Sequence, residues 1–327
     1  MRKPFRILGW LILACALFMG LVFALNLGLK AAEARRYPPP GRMVTVDGHR
    51  MHVFVAGQGT KTIVLLSGLG TPCPYLDFRP LVEALSPSFR VAVVEGFGYG
   101  WSDIVSTPRT NTAIVQELRA GLKEAGLAPP YILMPQSISG VYSMAYCQAY
   151  PEEVAGILGL DMTVAVQDKY IPPSLLNQRR GLAFRIRSFL LRNGGWRLLY
   201  PFRKADFVWD LEGRPGYTDY DRQVYAAMQF KNWGNPVLVD EIRRIGSNDR
   251  ELMDFRFPPS LPVLLVIASG PQAESISQGW GRSWLAMQDE VVSNPRIQST
   301  MVLEGEHYIH RGNEARIAQL AKKKFGN

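Results

Sequence analysis

Short apolar runs recur along the chain at residues 62–67, 90–95, 131–134, 154–161, 263–269 and 297–303, separated by stretches of helical length. Most of these runs are apolar at consecutive positions rather than alternate ones. Runs of this kind predict a mostly parallel central sheet buried by helices on both faces. Upstream, residues 42–46 and 49–55 flank Asp47-Gly48, a dipeptide that tolerates the positive φ of a two-residue turn, so an antiparallel hairpin is expected to open the domain. The rhythm breaks between about Thr163 and Pro259, an interval rich in aromatics and arginines. That interval is expected to be a helical insertion after the sixth strand, a cap over the crevice at the strand ends. The predicted organisation is a membrane anchor with its flanks at 1–36, an α/β core at 37–162 and 259–327, and a cap at 163–258.

The longest apolar run stands apart from this pattern. From Ile7 to Leu29, 23 residues carry no charge, and at 1.5 Å per residue such a helix crosses a hydrocarbon core of about 30 Å. A cleavable signal is the competing reading, since Ala32-Glu33-Ala34 resembles a cleavage site, but the apolar stretch exceeds the roughly 7–15 residues of a signal core. Three cations among the first six residues favour a cytoplasmic N-terminus and a catalytic body outside the cell membrane, held by a single pass. Residues 37–41, Tyr-Pro-Pro-Pro-Gly, form a stiff linker to that body.

Charge changes the picture less than its total suggests. The net charge is +9. Arg2, Lys3, Arg6, Lys30, Arg35, Arg36 and Arg42 against Glu33 place most of it beside the apolar run, where membrane insertion puts cations. No nucleic-acid partner is expected. Cys15, Cys73 and Cys147 suggest neither a metal site nor a structural disulfide, and no cofactor is called for.

Three local patterns follow strands in chain order. Ser67-Gly68-Leu69-Gly70 is a turn whose glycines let backbone N–H groups face a substrate oxygen. Residues 94–103 read Val-Glu-Gly-Phe-Gly-Tyr-Gly-Trp-Ser-Asp, and Pro135-Gln136-Ser137-Ile138-Ser139-Gly140 precedes a helix expected over 141–150. Together these resemble the α/β-hydrolase superfamily over nearly the whole chain beyond residue 42. The resemblance implies the α/β-hydrolase fold, here with a helical cap and an N-terminal transmembrane helix.

The third pattern is similar to the superfamily's nucleophile elbow, usually G-x-S-x-G at a strained strand-to-helix turn. It implies Ser137 as nucleophile, with the N–H groups of Ile138 and Leu69 as oxyanion donors. The pattern departs at Pro135, at Ser139, and at Ser67 where a histidine is usual. Of four histidines, His49 and His52 belong to the opening hairpin, away from the strand carboxyl ends. His307, directly after the last strand, matches the superfamily's catalytic position, and His310 one turn on is the alternative. For the acid, Asp161 ends the sixth strand, while no carboxylate follows the seventh before Glu274; Asp161 is the first choice and Glu274 the second. Asp161 could also serve only as a cap or turn former.

The order Ser137, Asp161, His307 is that of the superfamily, and serine at the elbow argues against the haloalkane dehalogenases and epoxide hydrolases, which place aspartate there. The expected activity is a serine hydrolase acting on a carboxylic ester, a lipid or acyl ester among them, through an acyl-enzyme. Amide hydrolysis, peptide hydrolysis or acyl transfer would use the same groups, and a catalytically inactive membrane-anchored binding protein is the alternative of another class. Between Lys169 and Ala205 no acidic residue occurs, while Arg179, Arg180, Arg185, Arg187, Arg192, Arg197, Arg203 and Lys204 do, interleaved with Leu182, Phe184, Ile186, Phe189 and Leu190. Two readings stay open: a basic amphipathic lid against anionic lipid, or a cap helix with its apolar face buried and its arginines solvated. Trp196, Trp209, Tyr217, Tyr225 and Trp233 either line an acyl pocket or pack as core.

Overall fold

A computed structural model describes residues 2–170, 182–202, 211, 213–270 and 283–326. In chain order it contains α1 (Arg2–Arg36), β1 (Arg42–Val46), β2 (His49–Ala56), β3 (Thr62–Leu66), α2 (Pro74–Leu85), β4 (Arg90–Glu95), α3 (Asn111–Glu124), β5 (Tyr131–Pro135), α4 (Ser139–Ala149) and β6 (Val154–Leu160). Then follow α5 (Leu182–Leu190), α6 (Trp196–Leu199), α7 (Asp219–Asn232), α8 (Pro236–Glu251), β7 (Val263–Ala268), α9 (Trp284–Asp289), β8 (Gln298–Leu303) and α10 (Glu314–Phe325).

The eight strands form one sheet in the order β1-β2-β4-β3-β5-β6-β7-β8. Only β2 breaks the parallel arrangement, pairing antiparallel with β1 and β4. The hairpin turn is the expected one, with Asp47 at φ 49° and Gly48 at φ 78°. Successive side chains of a strand point to opposite faces, so each strand feeds two cores. Ile63, Leu65, Ile132 and Met134 pack with Phe78 and Leu81 of α2 and Ile317 of α10. Val64, Leu66 and Leu133 pack on the other face with Leu118 of α3 and Val141 of α4. The chain leaves β3 for β4 on one side and then returns to β5 on the other. This reversal opens a crevice beyond the carboxyl ends of β3 and β5.

The chain divides into two compact units, one of residues 1–38 with 182–235 and one of 39–181 with 236–327. The insertion expected over 163–258 is therefore not one piece. Residues 164–166 and α8 belong to the core unit because Val164, Val166, Val237 and Ile245 are buried in the same apolar cluster as the sheet. The smaller unit joins α5, α6 and α7 to α1, which is long and apolar enough to cross a membrane. Within it Trp196 meets Trp233 edge-on at 5.5 Å between ring centroids, and Tyr225 is buried. Glu274 lies outside the described residues, as do Arg179, Arg180, Arg203, Lys204 and Trp209.

Candidate active site

β5 ends at Pro135 and α4 begins at Ser139, so the chain must reverse direction within three residues. Ser137 does this at φ 54°, a left-handed conformation that costs a non-glycine residue about 1–2 kcal/mol. The turn is held from several sides. Gln136 N–H donates to the Leu66 carbonyl at 2.9 Å, and the Ser137 carbonyl accepts from the N–H groups of Thr163 at 2.8 Å and Gly140 at 2.9 Å. The departures from the usual elbow find physical reasons here. The Ser139 hydroxyl accepts from Gln136 N–H at 3.0 Å and lies 2.8 Å from the Leu66 carbonyl, a brace glycine could not supply. The close approach that glycine permits falls one residue later, where a Cβ on Gly140 would sit 2.2 Å from the Thr163 carbonyl oxygen.

The turn after β3 lies directly beside the elbow. A Cβ on Gly68 would come within 2.1 Å of Gln136 Oε1 and 3.0 Å of the Ser137 Cβ, so a side chain there would displace Gln136 and press on the nucleophile. Among the described residues, neither the Leu69 N–H nor the Ile138 N–H has a hydrogen-bond partner. Two unpaired donors flanking an exposed-side hydroxyl can accept a developing negative charge on a substrate oxygen.

Ser137 Oγ lies 2.9 Å from His307 Nε2, and His307 Nδ1 lies 2.7 Å from Asp161 Oδ2. Asp161 follows β6 at φ 45° and is buried. Its other oxygen, Oδ1, accepts from Trp284 Nε1 at 2.9 Å and from Ala268 N–H at 3.0 Å. With both oxygens serving as acceptors, His307 carries its hydrogen on Nδ1 and presents a lone pair on Nε2 to the serine hydroxyl. Gln136 Nε2 donates to the His307 carbonyl at 3.3 Å, tying the histidine loop to the elbow itself. Thus Ser137, Asp161 and His307, from three different loops at one edge of the sheet, form a continuous hydrogen-bonded chain.

His310 does not reach this site. It is buried against Phe78, with Nε2 3.2 Å from Asp77 Oδ2, and Arg311 bonds the other Asp77 oxygen through Nε at 2.8 Å and Nη2 at 2.5 Å. Burial would raise the Asp77 carboxyl, but Arg311 and His310 overcome it and hold it well below the usual carboxylate range. His52 is likewise a buried structural group, with Nδ1 2.9 Å from Glu95 Oε2.

Sequence reading missed three supports. Trp284 and Gln136 brace the acid and the histidine. Glu241 of α8 accepts from Tyr99 at 2.7 Å and from Tyr142 at 2.7 Å, linking the loop after β4 to α4, the helix that begins at the elbow. Burial pushes the Glu241 carboxyl up, opposed by the two tyrosine hydroxyls. Beside it Arg109 grips Glu117 at 2.9 and 2.6 Å. These groups line a cavity of about 70 Å³. Ser67, Gly96 and Ser139 line it as well, so it adjoins the turn after β3 and the elbow. No local sequence signal marks Glu241 as a partner of Tyr99 and Tyr142, which lie 142 and 99 residues away along the chain.

No protein-family model matches the chain. It is 30% identical over 263 residues to the uncharacterized protein YbdG of Bacillus subtilis, covering 80% of this chain and 77% of that one. Over a shorter stretch of 115 residues it is 30% identical to the pimeloyl-[acyl-carrier protein] methyl ester esterase of Xanthomonas oryzae, covering 35% of this chain and 40% of that one. Epoxide hydrolase A of Mycobacterium thermoresistibile superposes with a TM-score of 0.66 at 16% identity, covering 88% of this chain and 98% of that one, a likeness of fold. The strand order, the left-handed turn at residue 137 and these likenesses converge: the chain belongs to one family with YbdG and has the α/β-hydrolase fold.

Proposed function

We propose that this protein is a serine hydrolase that cleaves carboxylic esters through an acyl-enzyme on Ser137 and is held at a membrane by α1. The observation that carries the reading is the chain of two short contacts, 2.9 Å from Ser137 Oγ to His307 Nε2 and 2.7 Å from His307 Nδ1 to Asp161. Ser137 attacks the ester carbonyl as its proton passes to His307 Nε2. Asp161 keeps the imidazole oriented and stabilises its cation. The N–H groups of Leu69 and Ile138 hold the oxyanion, a role worth about 3–4 kcal/mol per donor in comparable sites. The imidazolium then protonates the departing alcohol, and the same nitrogen activates the water that releases the acid.

Two further observations narrow the reading. Serine at the elbow favours acyl chemistry over the alkyl-enzyme route that an aspartate would open, and the esterase of Xanthomonas oryzae supports an ester as substrate. The uncharged run of α1 with three cations before it supports a span with the core on the outer side, which suits a lipid or long-chain acyl ester. The test is labelling of the full-length protein with a fluorophosphonate probe, together with hydrolysis of p-nitrophenyl esters of increasing chain length. Ser137→Ala is expected to abolish labelling and to lower kcat by about 10⁴-fold or more. Equal labelling of native protein and variant would refute the assignment, and no labelling of either would favour an inactive binding protein.

A further inference from the structure

The sequence leaves open whether the apolar residues of 182–202 face inward or outward, and the structure answers it. On α5, successive residues turn by about 100°, so Leu182, Ile186, Phe189 and Leu190 fall in one sector about 100° wide. That sector is exposed: Leu182 is 69% and Phe189 64% accessible. Arg185 and Arg187 flank it on either side and are exposed as well. The residue on the opposite side, Ser188, is buried, its backbone and Cβ packed at 3.1–3.4 Å from where a Cβ on Gly234 would lie. A helix in water does the reverse. The pattern continues past the break at Asn193 and Gly194, where Leu198, Leu199 and Phe202 are exposed, Phe202 at 86%.

The joint between these helices and α1 sets their depth. Gly194, at φ 127°, backs onto Val22 so closely that a Cβ would lie 2.4 Å from Val22 Cγ1. Asn26 donates to the Arg192 carbonyl at 3.2 Å and accepts from Arg197 Nε at 2.8 Å. Lys30 donates to the same carbonyl at 3.3 Å, and the Arg197 fork meets Glu33 at 2.8 and 2.5 Å. Asn26, the amide within the uncharged run, is therefore buried and paired on both sides, as a polar group inside a bilayer must be. The uncharged run ends at Leu29. The joint thus begins about 10 Å inside the end of the run and continues one turn beyond it. Interfacial helices bury their apolar face about 5–10 Å into the headgroup and acyl boundary.

We propose that α5 and the chain through Phe202 lie in the membrane interface, with Leu182, Ile186, Phe189 and Phe202 among the acyl chains and Arg185 and Arg187 at lipid phosphates. This rests on α1 spanning the bilayer and is independent of the chemistry at Ser137.

The experiment uses the full chain with Cys15, which is exposed, replaced by serine, reconstituted in vesicles of phosphatidylcholine with a minority of phosphatidylglycerol. Cysteine introduced singly at Leu17, Phe189, Phe202 or Asp254 carries a nitroxide. Its collisions with oxygen, which concentrates in lipid, are compared with those of a water-soluble nickel chelate. Leu17, Phe189 and Phe202 are expected to show oxygen-to-chelate ratios several-fold above that of Asp254 in the core unit, with Leu17 the deepest. If Leu17 is lipid-exposed while Phe189 and Phe202 match Asp254, the interfacial helices are refuted and the span stands; if Leu17 also matches Asp254, the span itself is lost. Concentration-dependent spin–spin broadening at Phe189 would show a second copy on this face and overturn the proposal equally. Circular dichroism of each labelled protein, compared with that of the parent, checks that it is folded.

Discussion

In the core unit every residue of β3, β5 and β7 is buried, and the flanking helices turn leucine and valine toward the sheet. In the unit formed by α1 with residues 182–235, Leu182, Phe189 and Phe202 point outward while Ser188 and Asn26 are buried. Moving one large apolar side chain out of water is worth about 1.5–3 kcal/mol. Leaving several of them in water would forgo stabilisation comparable to the roughly 5–15 kcal/mol that holds a whole domain. On the proposed membrane placement the same rule, burial of what the surroundings solvate poorly, gives opposite patterns, because one region would face water and the other lipid.

The largest expected effect tests whether the core's polar groups are as tightly specified as its apolar ones. Asp161 uses both oxygens as acceptors, Oδ2 for His307 and Oδ1 for Trp284 and Ala268. Asp161→Asn must turn an NH₂ group either toward two N–H donors or toward His307, where it forces the hydrogen onto Nε2. Loss of about 10³–10⁴-fold in kcat with little change in KM is expected, read from p-nitrophenyl ester kinetics. A loss confined to KM would assign Asp161 to packing alone.

A matched pair of truncations contrasts the two regions directly. Leu133→Ala, at a fully buried position of β5, should cost about 2–5 kcal/mol in urea unfolding followed by tryptophan fluorescence. Phe189→Ser removes a larger side chain from an exposed position and should stay within about 0.5 kcal/mol in detergent, yet weaken retention of the helical unit at the lipid surface. A large unfolding effect at Phe189 would mean that its ring packs against protein, and the inside-out reading of this unit would fail.

How much of this was legible in the sequence follows the same divide. The strands were readable because burial on both faces leaves consecutive apolar residues, and the turns because Asp47-Gly48 and the 135–140 pattern demand particular backbone angles. Ser137, Asp161 and His307 could be proposed in order because each follows a strand. The direction of the apolar stripe on α5 was not readable, since periodicity locates a stripe without saying what covers it. The bracing of Asp161 by Trp284 and the Glu241 link between Tyr99 and Tyr142 join residues far apart in the chain, and nothing local announces them. The stretch expected as one insertion contributes to both units: α8 is amphipathic like its neighbours, and only its contacts reveal which core it serves.

Among the described residues several buried polar side chains keep an unpaired atom, and one of them is ionisable with a strongly shifted carboxyl. Asp249 of α8 is fully buried; Gln167 donates to its Oδ2 at 3.0 Å, while Oδ1 has no partner. Burial pushes its carboxyl up to about 8, and nearby Asp168 adds to the shift. The folded state therefore keeps a proton that the unfolded chain releases near 3.8, so between these values stability falls as pH rises. The slope for one proton is at most about 1.4 kcal/mol per pH unit. Asp249→Asn should remove that slope and raise the urea midpoint at pH 8 relative to pH 5; an unchanged slope would show that Asp249 is ionised in the fold.

The smallest effects come from one chemical change made in both regions. Thr110 caps α3 in the core unit, its hydroxyl accepting from Ala113 N–H at 3.2 Å. Thr218 caps α7 in the helical unit, accepting from Asp221 N–H at 3.2 Å while Asp221 accepts in return from Thr218 N–H at 2.7 Å. Replacing either threonine by alanine frees one helix-end donor and should cost about 1 kcal/mol. Because packing contacts divide the chain at these units, the two costs should surface in different measurements. Thr110→Ala should lower the temperature at which Ser137 loses fluorophosphonate reactivity, whereas Thr218→Ala should leave that temperature unchanged and speed proteolysis within 182–235. Equal shifts of the reactivity midpoint by both variants would mean that the two regions unfold as one, and that the helical unit contributes to the stability of the core as well as to its position.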